Sequence, residues 1–503
     1  MRWMYRVKRI DLEAGKKISV LHEKDAEALG VREQDRVKIV AGEKCEVTIV
    51  ETTHTLVKRG EVGLLLDCAD LIDEEEVDVV PTGRPASVES IKKKMNGGEL
   101  TKGEIKELVQ DIVERNLTDI ELAAYVCAVY MRGMNMREVT DLTIAMAESG
   151  TIIEVDRKPV YDFHSIGGVP GNKVTLLVVP IVAAAGLTIP KTSSRAISSP
   201  CGTADIFEVL APVSLTAQDI KRIAEEVGGT IAWGGGVNLA PADDIIIRAE
   251  YPLSLDPHAQ LLASVMAKKK AVNADYVLID IPVGREAKVE EMQRAKQYAR
   301  DFIELGERLG INVECAITYG GQPVGRAIGP ALEVREALSA LENKNSPASL
   351  IEKATHLAGI LLEMGGIRNG AEEAEAIIRS GKALRKLREI IQAQGGNPDV
   401  HSDDIDVGRY KAEIKAKTEG YVKRISNRTI GRIAREAGSP YDKGAGILLA
   451  KKEGLQVEIG ETLLTIFADN KRKLERAERL AKHLHPITIE GMILERIPKY
   501  HTM

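Results

Sequence analysis

Two loops of this chain concentrate the residue types that hold anions. In YDFHSIGGVPGNKVT (Tyr161–Thr175), His164 and Ser165 lead into two adjacent glycines, a Pro-Gly step and an Asn-Lys entry to an apolar run. A strand that ends there and feeds a helix at Lys173 offers backbone N–H groups and the positive end of a helix dipole. Gly167 and Gly168 let the backbone approach a ligand closely. The spacing fits neither a Walker A loop nor G-x-G-x-x-G, so neither an ATPase nor a dinucleotide site follows. A tight strand-to-helix turn explains the same residues, and both readings stand at this point.

The second loop, TSSRAISSPCGTAD (Thr192–Asp205), sets four serines, two threonines and one arginine in the twelve residues up to Thr203. Hydroxyls donate and accept, so Ser193, Ser194, Ser198, Ser199 and Thr203 can hold phosphate or sugar oxygens. Ile189, Ile197 and the helix that follows suggest a partly buried loop, where hydroxyls need partners. In LSLDPHAQLLASVMAKKK, Asp256-Pro257 reads as a helix N-cap followed by proline at the first helical position. Asp256 is a cap, a general acid, or both. Ser264 and Lys268, four apart, share a helix face. Arg285 and Lys288 lie in a further strand-to-helix loop, DIPVGREAKVEEM, where a solvated charge pair is the ordinary explanation. Asp243-Asp244 suits a helix start better than a metal site, and the remaining histidines show no metal-ligand spacing.

The elements that must position these loops follow from the apolar pattern. Residues 1–84 read as a small β-rich unit, with RVKIV, CEVTIVET and GEVGLLL set between turn signals. Helical spacing follows from Val88, with a helix start at Thr118-Asp119. From Val160 the chain alternates short apolar runs, Gly- or Ser-rich loops and helices, which predicts a largely parallel sheet with ligands at the carboxyl ends of its strands. The last ninety or so residues turn β-rich again. The expected fold is therefore multidomain α/β and α+β: a β-barrel-like domain (1–84), a helical domain (85–158, with 238–272 returning to it), a central α/β domain with a mixed or parallel sheet (159–410) and a C-terminal α+β domain (411–503).

Composition narrows the function. A net charge of −6 gives no basic footprint for nucleic acid. Five scattered cysteines without a CxxC pair suit a reducing compartment, and the N-terminus lacks a signal-peptide core, so the expected location is cytoplasmic. The most apolar window, Val174–Pro190, falls short of the roughly 20 residues of a membrane span and contains Pro180, so it reads as a buried helix. High Glu, Lys and Arg hint at a thermophilic source.

In this order, the loops resemble the thymidine/pyrimidine nucleoside phosphorylase family from about Val88 to the C-terminus. The segment from Ser193 to Glu208 follows the family pattern S-G-R-G-L-x-x-T-G-G-T-x-D-x-L-E, HSIGGVPGNKVT follows H-S-T-G-G-V-G-D-x-x-S, and NLAPAD and GPALEVREAL also match. The resemblance implies cleavage of an N-glycosidic bond by inorganic phosphate as co-substrate, no other cofactor, and a homodimer with its site in the cleft between domains. It places His164, Ser165, Thr175, Ser193 and Thr203 on the family's sugar- and phosphate-contacting positions, with Gly168, Ser194, Arg195, Ala196, Ile197, Ser198 and Ser199 as further expected substrate-binding residues. It assigns the base to Arg248, Ser264 and Lys268.

Departures from the pattern sharpen this expectation. Phe163 stands where the family has a lysine before His-Ser, so a phosphate-binding cation is missing. V-G-S-G-A-F becomes V-G-R-E-A-K, which adds Arg285 and Lys288. Extra cations suggest an extra anionic group on the substrate, the 5′-phosphate of a nucleotide, as in the archaeal branch of the family that acts on nucleoside 5′-monophosphates. That branch also carries an extra N-terminal domain. The one here, with LGVREQDRVKIV, resembles a double-psi-type barrel whose expected role is assembly beyond the dimer. Asp256 is then the expected acid for the leaving base. The alternatives are a pyrimidine nucleoside phosphorylase giving (deoxy)ribose 1-phosphate, an anthranilate-type phosphoribosyltransferase using Mg²⁺ on Asp243-Asp244, and a non-catalytic AMP sensor.

Overall fold

Strong alternation in the first eighty residues closes a barrel. In the computed structural model, which describes residues 3–196 and 199–493, strands β1 (Met4–Ile10), β2 (Ile18–His22), β3 (Arg36–Ala41), β4 (Lys44–Thr53), β5 (Glu61–Leu65) and β6 (Glu76–Thr82) pair in the order β1-β5-β2-β4-β3-β6. Closure leaves no free sheet edge. Val37, Ile39, Val62, Leu64, Val77 and Val79 fill the interior, and α1 (Glu23–Leu29) follows β2. Packing divides the chain into two units, Met1–Ser149 with Pro241–Ser264 and Gly150–Ala240 with Val265–Met503.

The first unit continues from the barrel into α2 (Ser87–Met95), α3 (Lys102–Val113), α4 (Asp119–Arg132) and α5 (Met136–Glu148). Thr101, Thr118 and Asn135 each close a reciprocal capping box with the glutamate three residues on. That device satisfies backbone donors which a helix start would otherwise leave unpaired. Between α2 and α5, Lys94 Nζ donates to both oxygens of Glu138 at 2.9 and 3.0 Å in a buried ion pair. The later helix α10 (Pro241–Glu250) packs on α3 and α4.

The second unit holds the α/β alternation. Its strands are β7 (Tyr161–Ser165), β8 (Ile189–Ser193), β9 (Gly229–Trp233), β10 (Tyr276–Val283) and β11 (Asn312–Tyr319). β11-β10-β7 are parallel, β8-β9 are parallel, and a single parallel bridge from Val160 to Thr188 links the two groups. Between β7 and β8 runs α6 (Thr175–Ala184), buried along its length from Thr175 to Ala183 and unbroken at Pro180. It packs on α14 (Ala348–Met364) and α16 (Lys382–Ala393). Six large aliphatic side chains of α6 are fully buried, each stabilising by about 1.5–3 kcal/mol before chain entropy is subtracted. The apolar window is thus a core helix, and among the described residues no helix is long and apolar enough to cross a membrane.

Further helices line the same core: α7 (Thr203–Phe207), α8 (Ala217–Val227), α9 (Gly234–Val237), α12 (Met292–Leu309), α13 (Pro330–Leu341) and α15 (Gly370–Arg379). Helix α11 (His258–Ala271) carries the chain from one unit to the other. Beyond β12 (Ala327–Ile328), the C-terminal part builds one sheet, β12-β15-β17-β13, and another, β16-β14-β18, around α17 (Asn427–Ala437) and α18 (Lys471–Leu484). Its strands are β13 (Tyr410–Lys415), β14 (Gly420–Ile425), β15 (Gly446–Leu449), β16 (Gln456–Val457), β17 (Thr462–Ala468) and β18 (Ile487–Glu490).

Candidate active site

The carboxyl ends of β7 and β8 open into one cavity of about 180 Å³. One wall is the glycine turn with His164, Ser165, Gly167 and Gly168; the other is the hydroxyl loop with Ser193, Ser194, Ser199 and Thr203. Both glycines sit at positive φ, +86° and +89°, a region that side chains with a Cβ avoid. They differ in their surroundings. A Cβ on Gly167 would meet open space, whereas one on Gly168 would lie 2.3 Å from the backbone nitrogen of Lys288. The glycine turn therefore rests directly on the Arg285–Lys288 loop.

Buried charges underlie the floor of the cavity. Asp280 on β10 accepts from Ser165 Oγ at 2.7 Å and from Thr318, and Lys353 Nζ lies 3.0 Å from it. Ser165 in turn accepts from Asn172 Nδ2 at 2.9 Å, so its hydroxyl is fixed in direction. Asp162 on β7 accepts from Lys269 Nζ at 2.7 Å, while Lys191 Nζ stands 3.7 Å from its other oxygen. Burial, and then the neighbouring Lys269 ammonium, pull Lys191 down to about 7. Burial and the same lysines push His164 well below the ordinary imidazole value, so it is neutral at pH 7. Burial first, and then the Glu333 carboxylate 2.9 Å away, hold the Cys201 thiol well above its usual range.

Several residues of the hydroxyl loop serve the loop itself. The guanidinium of Arg195 donates to Asp205 at 3.2 Å and to both oxygens of Glu208, and it lies 4.7 Å over the Trp233 ring. The Ala196 N–H is taken by Asp205 Oδ2 at 2.7 Å, and the Gly202 N–H by the same oxygen at 2.9 Å. Arg195, which also lines the cavity, and Ala196 are thereby held in place: Asp205 ties the start of the loop to its end. Ile197 and Ser198 lie outside the described residues.

Two sequence expectations shift. Lys173 does not face the anion loop: its Nζ donates to the carbonyls of Val324 and Ala327 and to Glu336, fully buried, and α6 starts at Thr175. Apolar residues follow on every side, so the one cation in the run is drawn into the core only where carbonyls and a carboxylate satisfy it. At Asp256, α11 begins at His258 with Leu261 N–H donating to the Pro257 carbonyl at 2.9 Å. The first helical residue is thus His258, one position after the expected Pro257.

The exposed pair Arg285 and Lys288 is held in place from the C-terminal part. Between them, Glu286 adopts a left-handed φ of +63°. Its carboxylate accepts from Arg424, from Ser426 Oγ at 2.8 Å and from the Arg428 N–H at 3.0 Å. Asn427 Nδ2 adds bonds to the carbonyls of Gly320 and Arg285. Lys268 lies half-buried on α11 in this unit. Arg248 (exposed), Asp256 and Ser264 belong to the first unit, where Ser264 Oγ donates to the buried Asp243 at 2.8 Å. Among the described residues no group of three His, Cys, Asp or Glu side chains is arranged to hold a metal.

Residues 88–150 match the glycosyl transferase family, helical bundle domain; residues 157–384 match its a/b domain; residues 421–488 match the pyrimidine nucleoside phosphorylase C-terminal domain. An AMP phosphorylase of Thermococcus kodakarensis is 53% identical over 498 residues, covering 98% of this chain and 99% of the relative. The chain belongs to the AMP phosphorylase family. AMP phosphorylase 1 of Archaeoglobus fulgidus (52% identical, 98% of both chains) and the AMP phosphorylase of Pyrococcus furiosus (51%, 98% of this chain and 99% of the relative) are similar along the whole length, barrel included. The anthranilate phosphoribosyltransferase of Thermus thermophilus, 18% identical, covers 61% of this chain and 99% of its own with a TM-score of 0.51, a likeness of fold alone. AMP phosphorylases are pentosyl-transferring enzymes, so the sensor reading falls.

Sequence reasoning missed the acidic and basic residues of the strands. Asp162, Lys191 and Asp280 each sit inside an apolar run, VYDF, IPKTS and YVLIDIPV. Single charges in such runs read as solvent-facing alternation. The signal that was there is position: each lies within four residues of a strand's carboxyl end, where ligands gather in parallel sheets.

Proposed function

We propose that this protein catalyses the reversible phosphorolysis of AMP, with CMP and UMP as further candidates, to the free base and ribose 1,5-bisphosphate. The observation that carries this reading is the cavity at the ends of β7 and β8, in which a glycine turn, two hydroxyl-bearing walls and a buried lysine face one small space. The whole-length similarity to AMP phosphorylases supports it.

A phosphate oxygen attacks C1′ as the C1′–N bond breaks, and the bonding electrons pass to the base nitrogen. Phosphate must be aligned, positive charge on the sugar tolerated, and the departing base protonated. In this reading Ser165, the glycine turn, Ser193 and Thr203 align phosphate and sugar. Arg248, Ser264 and Lys268 take the base, and Asp256 gives it a proton. Lys288, with Arg285, meets the 5′-phosphate. Inorganic phosphate is the co-substrate and no redox cofactor is required.

Lys288→Ala tests the part of this reading that separates nucleotide from nucleoside. It is expected to lower kcat/KM for AMP at least 10-fold, the scale of a lost charge-assisted contact, while leaving any turnover of adenosine unchanged. Equal loss on both substrates would remove Lys288 from the 5′-phosphate.

A further inference from the structure

We infer that Lys191 is the cation that receives inorganic phosphate, occupying in space the role that Phe163 cannot fill in sequence; this deepens the phosphorolysis reading and rests on it. Phe163 is fully buried in the apolar core. Lys191 lies one strand away on β8 and contributes to the cavity wall with Ser165, Ser193 and Thr203.

The charge balance is uneven. Two buried ammonium groups, Lys191 and Lys269, share one carboxylate, Asp162, with side-chain exposures of 3%, 1% and 0%. Lys269 is matched, at 2.7 Å, whereas Lys191 is 3.7 Å from the other oxygen and otherwise donates to the Thr192 carbonyl. Lys269 is not part of the cavity wall. His164, which lies under the influence of the same lysines, is neutral and brings no counter-charge. Arg195, the other cation at the wall, is already bound by Glu208 and Asp205. Burying a charge without a full partner is costly, so such a group is kept where an anion arrives to complete it. A phosphate dianion in the cavity accepts a hydrogen bond from Lys191 Nζ and supplies the missing charge. Burial and Lys269 hold Lys191 near 7, so phosphate binding also draws a proton onto the amine.

The test is Lys191→Met, which keeps most of the unbranched stem and removes the ammonium group. The expected result is a phosphate KM raised at least 10-fold with the AMP KM changed less than 3-fold, and a matching loss of phosphate affinity by calorimetry with inorganic phosphate alone. Lys94→Met, which breaks the separate buried pair with Glu138, serves as the structural control: it should lower the melting temperature with the phosphate KM within 3-fold of wild type. A folded Lys191→Met with wild-type phosphate KM and affinity would overturn the inference. Should that variant not fold, Lys191→Gln takes its place in the same kinetic and calorimetric measurements. A folded Lys191→Gln with wild-type phosphate KM and affinity would likewise overturn the assignment. If the wild type binds phosphate through Lys191 but releases no base from any nucleotide, the phosphorolysis reading fails while the phosphate site stands.

Discussion

Asp256 poses the residue-scale question most sharply, because a cap and an acid call for the same side chain. The helix it precedes begins at His258, and Asp256 lies half-buried two residues before that start. We expect Asp256→Asn to cut kcat for AMP by about 10²-fold with less than 3-fold change in the AMP KM, the scale of general acid catalysis. Steady-state kinetics with a melting curve as control decides it, and an unchanged kcat would end the acid role. As a candidate, Asp256 was legible because Asp-Pro before an apolar run is a recognisable start signal. Lys191 was not, because one charged residue in a five-residue strand looks the same whether it faces solvent or a buried cavity.

At the scale of elements, the loops around the cavity hold one another. The glycine turn after β7 lies on the loop after β10, and that loop is clamped through Glu286 by residues 424–428 of the C-terminal part. Gly167 and Gly168 share nearly the same φ but not the same space, which separates two physical costs. Gly167→Ala should cost only left-handed strain, about 1–2 kcal/mol. Gly168→Ala adds a clash with Lys288 backbone and should lower kcat/KM for AMP at least 10-fold more than Gly167→Ala does. Equal kinetics in the two variants would contradict the packing described. The need for glycine here was visible in sequence, but not which glycine touches which loop, since the contact spans about 120 positions. Lys173 shows the same limit: its partner Glu336 lies 163 residues away.

For the whole molecule, local periodicity carried the class of each part: the N-terminal barrel, the capped helices, the parallel α/β alternation and the C-terminal α+β part are the architecture observed. What periodicity does not carry is strand order. The barrel order β1-β5-β2-β4-β3-β6 mixes parallel and antiparallel pairs of distant segments, set by closure and core packing rather than by neighbours in sequence. Fold likewise stops short of function, since the phosphoribosyltransferase of Thermus thermophilus shares the architecture at 18% identity. The substrate is therefore where the account stands or falls. The decisive measurement is free-base release from AMP, adenosine and thymidine, each with and without inorganic phosphate, with the sugar product identified by phosphorus NMR. The account predicts adenine release from AMP only when phosphate is present, with a product carrying two phosphoryl groups. Preferential release from thymidine or adenosine, or release from AMP without phosphate, would contradict it.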